Sequence, residues 1–242
     1  MDTQTISAPT QVLDQIRSAS PNHVWTPADF ARFGSRGTID KVLQRLVSAN
    51  QLRRIDRGLY DRPKINKLTK RPTSPDYRAV LDALARRDQV RLLIDGLTAA
   101  NDLGLTTAVP ARVTIHTDTR RRSIQLDRLV IAFRPTAASR LYWAGRPGMR
   151  VVQALHWLKD TMPGDKDQVL ARLRTVLGDP KHGRAIRRDL SDGFATLPSW
   201  MQPLVRELLD PTGTAGTDWP RPRQPTHTVR SKSTAHRKAT KR

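Results

Sequence analysis

The sequence predicts an α+β protein with an N-terminal helical domain, a second domain made of a small β-meander plus helices, and a disordered basic tail. In the first part, between residues 9 and 63, apolar residues recur at helical spacing and a hairpin signal follows them. In the second part, short strand patterns lie between residues 91 and 134, and helical periodicity then continues to residue 210. Residues 211–242 lack periodicity and are dominated by Pro, Thr, Ser, Lys and Arg, which predicts disorder.

Three helices are predicted before the hairpin. The first covers residues 9–20 and serves as scaffold. The second begins at Thr26-Pro27, where a capping threonine precedes a proline suited to the first helical position, and Asp29 completes a capping-box pattern. The third runs from residue 35 to residue 50. The apolar face of this third helix is formed by Ile39, Val42, Leu43, Leu46 and Val47.

The hairpin prediction rests on the turn Asp56-Arg57-Gly58, because glycine tolerates the positive φ angle that such turns need. A short helix, a tight turn, a longer basic helix and a basic hairpin in this order are typical of a winged helix-turn-helix, which we predict for residues 9–63. In that motif the N-terminal residues of the longer helix enter the DNA major groove, and the hairpin lies along the backbone. The alternative interpretation is a small helical domain with a solvated basic face.

The motif predicts which side chains meet DNA. Arg36 is expected to reach guanine O6 and N7, and hydroxyl groups near the helix start are placed for phosphates or base edges. Basic residues of the hairpin are expected to contact phosphates or to enter the minor groove. The predicted DNA-binding residues are Ser35, Arg36, Thr38, Lys41 and Arg45 on the helix, and Arg53, Arg54 and Arg57 on the hairpin.

The rest of the chain divides into a linker, a second domain and the tail. Residues 64–74 combine prolines with lysines and have little apolar content, which predicts an extended linker. In residues 75–210 we predict a helix, a strand at 91–95, a brief helix from Gly96, a β-meander at 112–134 and further helices from Gly148 onward. The basic turn Arg120-Arg121-Arg122 is either a second phosphate contact or a solvated hairpin tip.

Charge is the strongest bulk signal, since the formal net charge is +21. Residues 1–72, 73–210 and 211–242 each contribute +7, so the tail is the densest in positive charge. A polyanion is the expected partner, and double-stranded DNA fits better than an anionic membrane because no amphipathic helix pairs an exposed aromatic face with the charge. The absence of cysteine excludes disulfides, thiolate metal sites and a thiol nucleophile, and together with the lack of a visible secretory signal it favours a cytoplasmic protein.

Motifs of catalysis are not found. The six histidines lack helical ligand spacing with a carboxylate partner, and neither G-x-S-x-G nor a P-loop is present. Gly34-Ser35 resembles the start of a nucleotidyltransferase motif, but no Asp-x-Asp follows it at the required distance, so a helix-turn-helix turn is the better interpretation. We therefore predict no catalytic residue, no metal and no cofactor. A nucleic-acid-processing enzyme remains the alternative, with Asp95, Asp102, Asp118 and Asp127 as its available carboxylates.

Two stretches, RGLYDRP at Arg57 to Pro63 and GLTAANDLGL…VPARVTIHTD at Gly96 to Asp118, together resemble the AbiEi-type antitoxins of type IV toxin–antitoxin systems. The resemblance covers roughly residues 10–160, and neither the helical segment from Asp165 nor the basic tail aligns with it. It implies a winged helix followed by an antitoxin domain, repression of the protein's own operon through inverted repeats, and neutralisation of a nucleotidyltransferase-like toxin, often without a stable complex. A stand-alone repressor without a toxin partner is the other interpretation.

Overall fold

The computed structural model describes residues 7–20 and 22–210, and it has the α+β fold that the sequence predicts. The tail predicted for residues 211–242 lies outside this range. Two small sheets are surrounded by helices, and each sheet belongs to its own stretch of the chain. Among the described residues, no helix combines the length and the apolar composition that crossing a bilayer requires.

The N-terminal segment forms three helical elements and a hairpin in the predicted order. The predicted capping box is present, with the main-chain N–H of Thr26 donating to Asp29 Oδ2 at 2.7 Å. The element that it starts is a 3-10 helix rather than an α-helix. A β-bulge at Ile55 and a φ of +67° at Gly58 shape the hairpin. The elements are α1 (Ala8–Ser18), β1 (Val24–Trp25), the 3-10 helix Pro27–Phe33, α2 (Arg36–Ser48), β2 (Arg53–Asp56) and β3 (Leu59–Asp61).

One face of each N-terminal helix closes over a compact core. Strand β3 is central in an antiparallel three-stranded sheet of order β1-β3-β2. The buried apolar side chains come from α1, β1, the 3-10 helix, α2 and the hairpin with the residue before it, and those of the helices recur at helical spacing. They are Val12, Ile16, Trp25, Phe30, Ile39, Val42, Leu43, Leu52 and Tyr60.

The second segment packs helices against a four-stranded sheet. Its helices close over a larger core that continues from α3 to α8. The elements are α3 (Tyr77–Asp88), β4 (Leu92–Ile94), α4 (Gly96–Asp102), β5 (Arg112–Thr117), β6 (Ile124–Leu126), β7 (Leu129–Pro135), the 3-10 helix Ala138–Leu141, α5 (Met149–Leu158), α6 (Met162–Leu177), α7 (Gly183–Asp192), the 3-10 helix Phe194–Thr196 and α8 (Gln202–Leu209).

The predicted β-meander is wrong in its strand order. The sheet order is β4-β5-β7-β6, and β5 pairs with β7 in parallel rather than with β6. Strand β7 carries an almost continuous apolar run, which suits a central position, whereas the three-residue β6 takes the edge. After β5 the chain therefore leaves a gap in the sheet and forms β6 one strand position away. The β6–β7 hairpin then places β7 in that gap, between β6 and β5.

The N-terminal segment and the second segment share part of their packing. Val24 of β1 and Leu59 of β3 are buried in the larger core rather than in the N-terminal one. The predicted linker is also not extended, because Ile65 and Pro72 form a β-bridge and the Arg53 guanidinium donates to the Thr73 carbonyl at 2.9 Å. The predicted boundary near residue 63 therefore does not divide the packing completely, since Val24, Leu59 and the partly buried Ile55 all precede it and pack with the larger core.

Helices α4 and α5 approach each other closely at Gly96. A Cβ atom added there would lie 2.6 Å from the Cβ of Trp157 and 2.7 Å from the main-chain oxygen of Gln153. Neither contact can relax by rotation of a flexible side-chain end, because the first involves a Cβ atom and the second a carbonyl oxygen. The glycine is therefore required by the helix packing.

We expect Gly96→Ala to lower the free energy of unfolding by about 1–2 kcal/mol, since it overpacks this contact. Gly164→Ala in α6 is the matched control, because nothing lies within 4 Å of the added Cβ there. Alanine at that position should be neutral or stabilise the helix by up to roughly 1 kcal/mol. Urea denaturation of both variants measures the difference, and equal stabilities would contradict the packing argument.

Candidate nucleic-acid interface

The first turn of α2 is exposed and ordered by its own cap. Ser35 is the N-cap residue, and its Oγ accepts from the main-chain N–H of Thr38 at 3.2 Å. The two hydroxyl groups also lie 2.9 Å apart. Both residues are exposed, so the hydroxyls and the free N–H groups of the first turn face solvent, where a phosphate could accept from them.

The basic residues of α2 also face solvent. Arg36 pairs with Asp40 one turn later, at 2.9 Å, and its side chain is 68% exposed. An exposed pair of this kind contributes only about 0.3–0.5 kcal/mol, so Arg36 can exchange Asp40 for another acceptor at little cost. Lys41 and Arg45 are exposed and have no ion-pair partner within the described part of the chain. All five predicted helix residues are therefore accessible to solvent.

An open groove of about 650 Å³ separates α2 from the β2–β3 hairpin. On the helix side it is lined by Arg36, Asp40 and Gln44, and on the hairpin side by Arg54 and Arg57. Of the predicted residues, the groove brings together Arg36, Arg54 and Arg57, whereas Ser35, Thr38, Lys41 and Arg45 do not line it. Two acidic residues, Asp40 and Asp56, line the groove, and all its other charged side chains are arginines.

The hairpin arginines do not all belong to this groove. Arg53 faces away from it and binds Asp61 through two hydrogen bonds, Nε to Oδ1 at 2.9 Å and Nη2 to Oδ2 at 2.6 Å. Asp61 lies directly opposite Arg53 in the sheet and its side chain is only 7% exposed. We therefore assign Arg53 to the structure of the hairpin and remove it from the DNA-facing set. Arg54, its neighbour on the opposite face, is exposed and lines the groove.

Arg87 of α3 is a groove residue that the sequence did not reveal. Its guanidinium donates to the main-chain carbonyl of Arg57 and, through two nitrogens, to the carboxylate of Asp88. The hydrogen bonds between the two side chains raise the pKa of Arg87 and lower that of Asp88, so both groups stay charged. Arg87 fixes the hairpin turn from the second segment, and only the tertiary contact identifies it.

The Asp88 carboxylate also contacts the predicted basic turn at residues 120–122. Arg121 Nη1 lies 2.7 Å from Asp88 Oδ2, opposite Arg87. Arg120 and Arg122 on either side are exposed. The turn at residues 120–122 is therefore connected to the hairpin turn at Arg57 through Arg87 and Asp88, and the positive surface extends beyond the groove.

The sequence profile of a family of unknown function (DUF6088) matches residues 11–180. The chain belongs to this family. The DUF6088 match runs from α1 to the end of α6, so it includes the groove between α2 and the hairpin as well as the sheet of the second segment. No curated protein matches the chain significantly.

The carboxylates of the alternative enzyme hypothesis lie in separate places. Asp95 caps α4 and accepts from Thr98 and from the main-chain N–H of Thr114. Asp118 pairs with Arg91, and Asp127 accepts from Ser74. Within residues 7–20 and 22–210, no group of three His, Asp or Glu side chains could hold a metal ion.

The fourth carboxylate, Asp102, is buried at the end of α4. It pairs with Arg78 and with Arg150 Nε at 2.8 Å, and it accepts from the Tyr77 hydroxyl. Burial by itself raises the pKa of Asp102, but the hydrogen bonds from Arg78, Tyr77 and Arg150 outweigh it and leave the pKa below its ordinary value. Burial and the bond to Asp102 raise the pKa of Tyr77. Asp102 is therefore ionised at neutral pH.

The lowered pKa of Asp102 makes part of the free energy of unfolding dependent on pH. The folded-state pKa of Asp102 is depressed, so its contribution is complete above the unfolded-state pKa of about 3.9 and is lost as pH falls through the folded value. We expect Asp102→Asn to lower the free energy of unfolding by about 1–2 kcal/mol at pH 7. Urea denaturation at pH 7 and pH 3 should show a smaller acid-induced loss for this variant than for the wild type. Parallel losses in both proteins would contradict the assignment.

Proposed function

We propose that this protein is a cytoplasmic winged-helix repressor that binds double-stranded DNA of its own promoter. The observation that carries the proposal is the groove between α2 and the β2–β3 hairpin, with Arg36 on one wall and Arg54 and Arg57 on the other. An exposed helix with a free N-terminal turn can enter a major groove about 12 Å wide. The hairpin beside it then meets the phosphate backbone.

The residues divide into two roles in this proposal. Arg36 leaves Asp40 and donates to guanine, while Ser35, Thr38, Lys41 and Arg45 hold the helix by phosphate or base contacts. Arg54 and Arg57 bind phosphates on the hairpin side. Arg87 acts indirectly, because it positions the main chain of Arg57. The positive turn at residues 120–122 extends the phosphate-binding surface.

Binding of the full chain to its own upstream DNA tests the proposal. Fluorescence anisotropy on that fragment and on a shuffled fragment of equal composition, at about 150 mM salt, should give at least roughly a 1,000-fold difference in Kd. DNase footprinting should then reveal inverted repeats. Equal affinity for both fragments at this ionic strength would rule out sequence-specific repression.

We further propose that the protein is the antitoxin of a type IV system. Support comes from the two stretches that resemble AbiEi-type antitoxins, which correspond to the β3 end of the hairpin and to α4 through β5. Because Val24 and Leu59 pack into the larger core, the two activities are best separated in the full chain. The double variant Arg36→Ala/Arg57→Ala should lose repression yet still relieve the toxicity of a nucleotidyltransferase encoded beside it. If no such toxin is neutralised, a stand-alone repressor is the remaining function.

The basic tail gives a separate expectation. Residues 211–242 contain eight Lys and Arg against one acidic residue. Deleting them should make the dependence of log Kd on log salt shallower without changing the footprint, because phosphate contacts release counterions but do not read sequence. Anisotropy at several salt concentrations measures the slope. A changed footprint would show instead that the tail contributes to sequence recognition.

A further inference from the structure

A second concave region lies in the other half of the molecule, between α3, β4, α5, α6 and α7. This cleft has a volume of about 810 Å³, within the range of small-molecule sites. Its floor is apolar and includes Leu92 and Ile94 of β4 and Ile115 of β5, which share one face of the sheet. It is separate from the groove beside the hairpin, since the two share no lining residue.

Three arginines converge on one side of the cleft. Arg78 and Arg150 both bind the buried carboxylate of Asp102, whose side chain is 4% exposed. Arg172 of α6 donates through Nε to the carbonyl of the next residue, Leu103, at 2.8 Å. All three arginines line the cleft, while Asp102 lies behind them. Two guanidinium groups thus share the single carboxylate of Asp102, and the third, that of Arg172, binds only a carbonyl, which leaves two positive charges in excess on this side of the cleft.

The excess is not removed by other acidic side chains. Asp82 and Asp179 also line the cleft, but within the described residues neither lies at ion-pair distance from these arginines. Arg172 has no carboxylate partner in the same range, and its terminal nitrogens are not engaged by the bond to Leu103. Arg150 contacts Asp102 through Nε alone, which leaves its terminal N–H groups as donors.

We propose that this cleft binds a small organic anion, in which a phosphate or carboxylate group is attached to an apolar body. The anionic group binds Arg150 and Arg172, with Arg78 beside them, and the apolar body packs against Val90, Met149 and Ile186, apolar lining residues that are partly exposed. Asp102 holds two of the guanidinium groups in place, so their side chains are ordered before the ligand arrives.

Naphthalene probes that differ only in charge test the proposal on the full-length protein. Isothermal titration with 1-naphthyl phosphate and 1-naphthoate should give one site, with a Kd at least tenfold lower than that of 1-naphthol or 1-naphthylmethylammonium. Comparable affinity for the anionic, neutral and cationic probes would overturn the proposal, because the cleft would then select only the apolar body.

Two matched pairs of variants locate the site. Arg172→Ala should weaken binding of naphthyl phosphate about tenfold, whereas Arg174→Ala, on the same helix but outside the cleft, should leave it unchanged. Ala185→Trp should fill the mouth of the cleft and abolish binding, whereas Ala171→Trp, also exposed but not lining it, should not. Circular dichroism checks that each variant is folded. Equal effects within either pair would show that the anion binds elsewhere, for example in the groove beside the hairpin.

Discussion

Replacing Arg36 with alanine is expected to weaken binding to the protein's own upstream DNA by about 5- to 150-fold, which corresponds to roughly 1–3 kcal/mol. The same change should hardly affect a shuffled duplex, because a base-specific contact is lost rather than a phosphate contact. Arg57→Ala should instead weaken both duplexes alike. Anisotropy titrations on the two fragments measure both ratios.

The chain provides a matched control for Arg36. Arg188 and Asp192 form another exposed Arg–Asp pair one turn apart, on α7, far along the chain from the groove. Arg188→Ala removes the same charge and a similar pair, so it should leave both affinities unchanged. If Arg188→Ala reduced binding as much as Arg36→Ala does, the loss would reflect net charge alone. Equal losses on specific and shuffled DNA for Arg36→Ala would remove it from the base-reading role.

Arg53→Ala is expected to lower the free energy of unfolding by about 2–4 kcal/mol, because it leaves Asp61 as a buried charge without its bidentate partner. Arg54→Ala, at the neighbouring position, should change stability by less than about 0.5 kcal/mol, since Arg54 is exposed and has no ion pair within the described residues. Its effect should appear in DNA affinity instead. Urea denaturation and anisotropy on both variants separate the two roles.

Two outcomes would contradict a structural role for Arg53 and a DNA-binding role for Arg54. If Arg53→Ala is as stable as the wild type but loses DNA affinity, Arg53 belongs to the interface as the sequence predicted. If Arg54→Ala destabilises the protein, the assignment of the two faces of β2 is reversed. Asp61→Asn offers a further check, because it should also destabilise the hairpin while leaving both arginines in place.

Local chemistry made the N-terminal elements predictable. Thr26, Pro27 and Asp29 specify the start of the 3-10 helix through the capping box, and Ser35 specifies the start of α2 as its N-cap. Gly58 supplies the positive φ of the hairpin turn. These signals act within a few residues, so the sequence alone contains them. Of the predicted residues, Arg36, Arg54 and Arg57 line the candidate groove, whereas Ser35, Thr38, Lys41, Arg45 and Arg53 do not.

The features that sequence reasoning missed depend on partners distant in the chain. The role of Arg53 follows from its register against Asp61, and hydropathy does not determine register when both residues are charged. Arg87 contributes through a carbonyl 30 residues earlier. The parallel pairing of β7 with β5 also joins strands that are not consecutive, although the apolar run of β7 was a local signal for its central position.

Whether the groove lies on DNA as proposed can be tested directly, because the chain contains no cysteine and a single one can be introduced. A DNA-cleaving iron chelate attached to Gln44→Cys lies in the groove, whereas the same reagent on exposed Ser191→Cys of α7 serves as the control. On the DNA upstream of the protein's own gene, the Gln44→Cys conjugate should cut at a few discrete positions, and the Ser191→Cys conjugate should not cut. Cleavage from α7 with none from the groove would contradict the proposed DNA-binding surface.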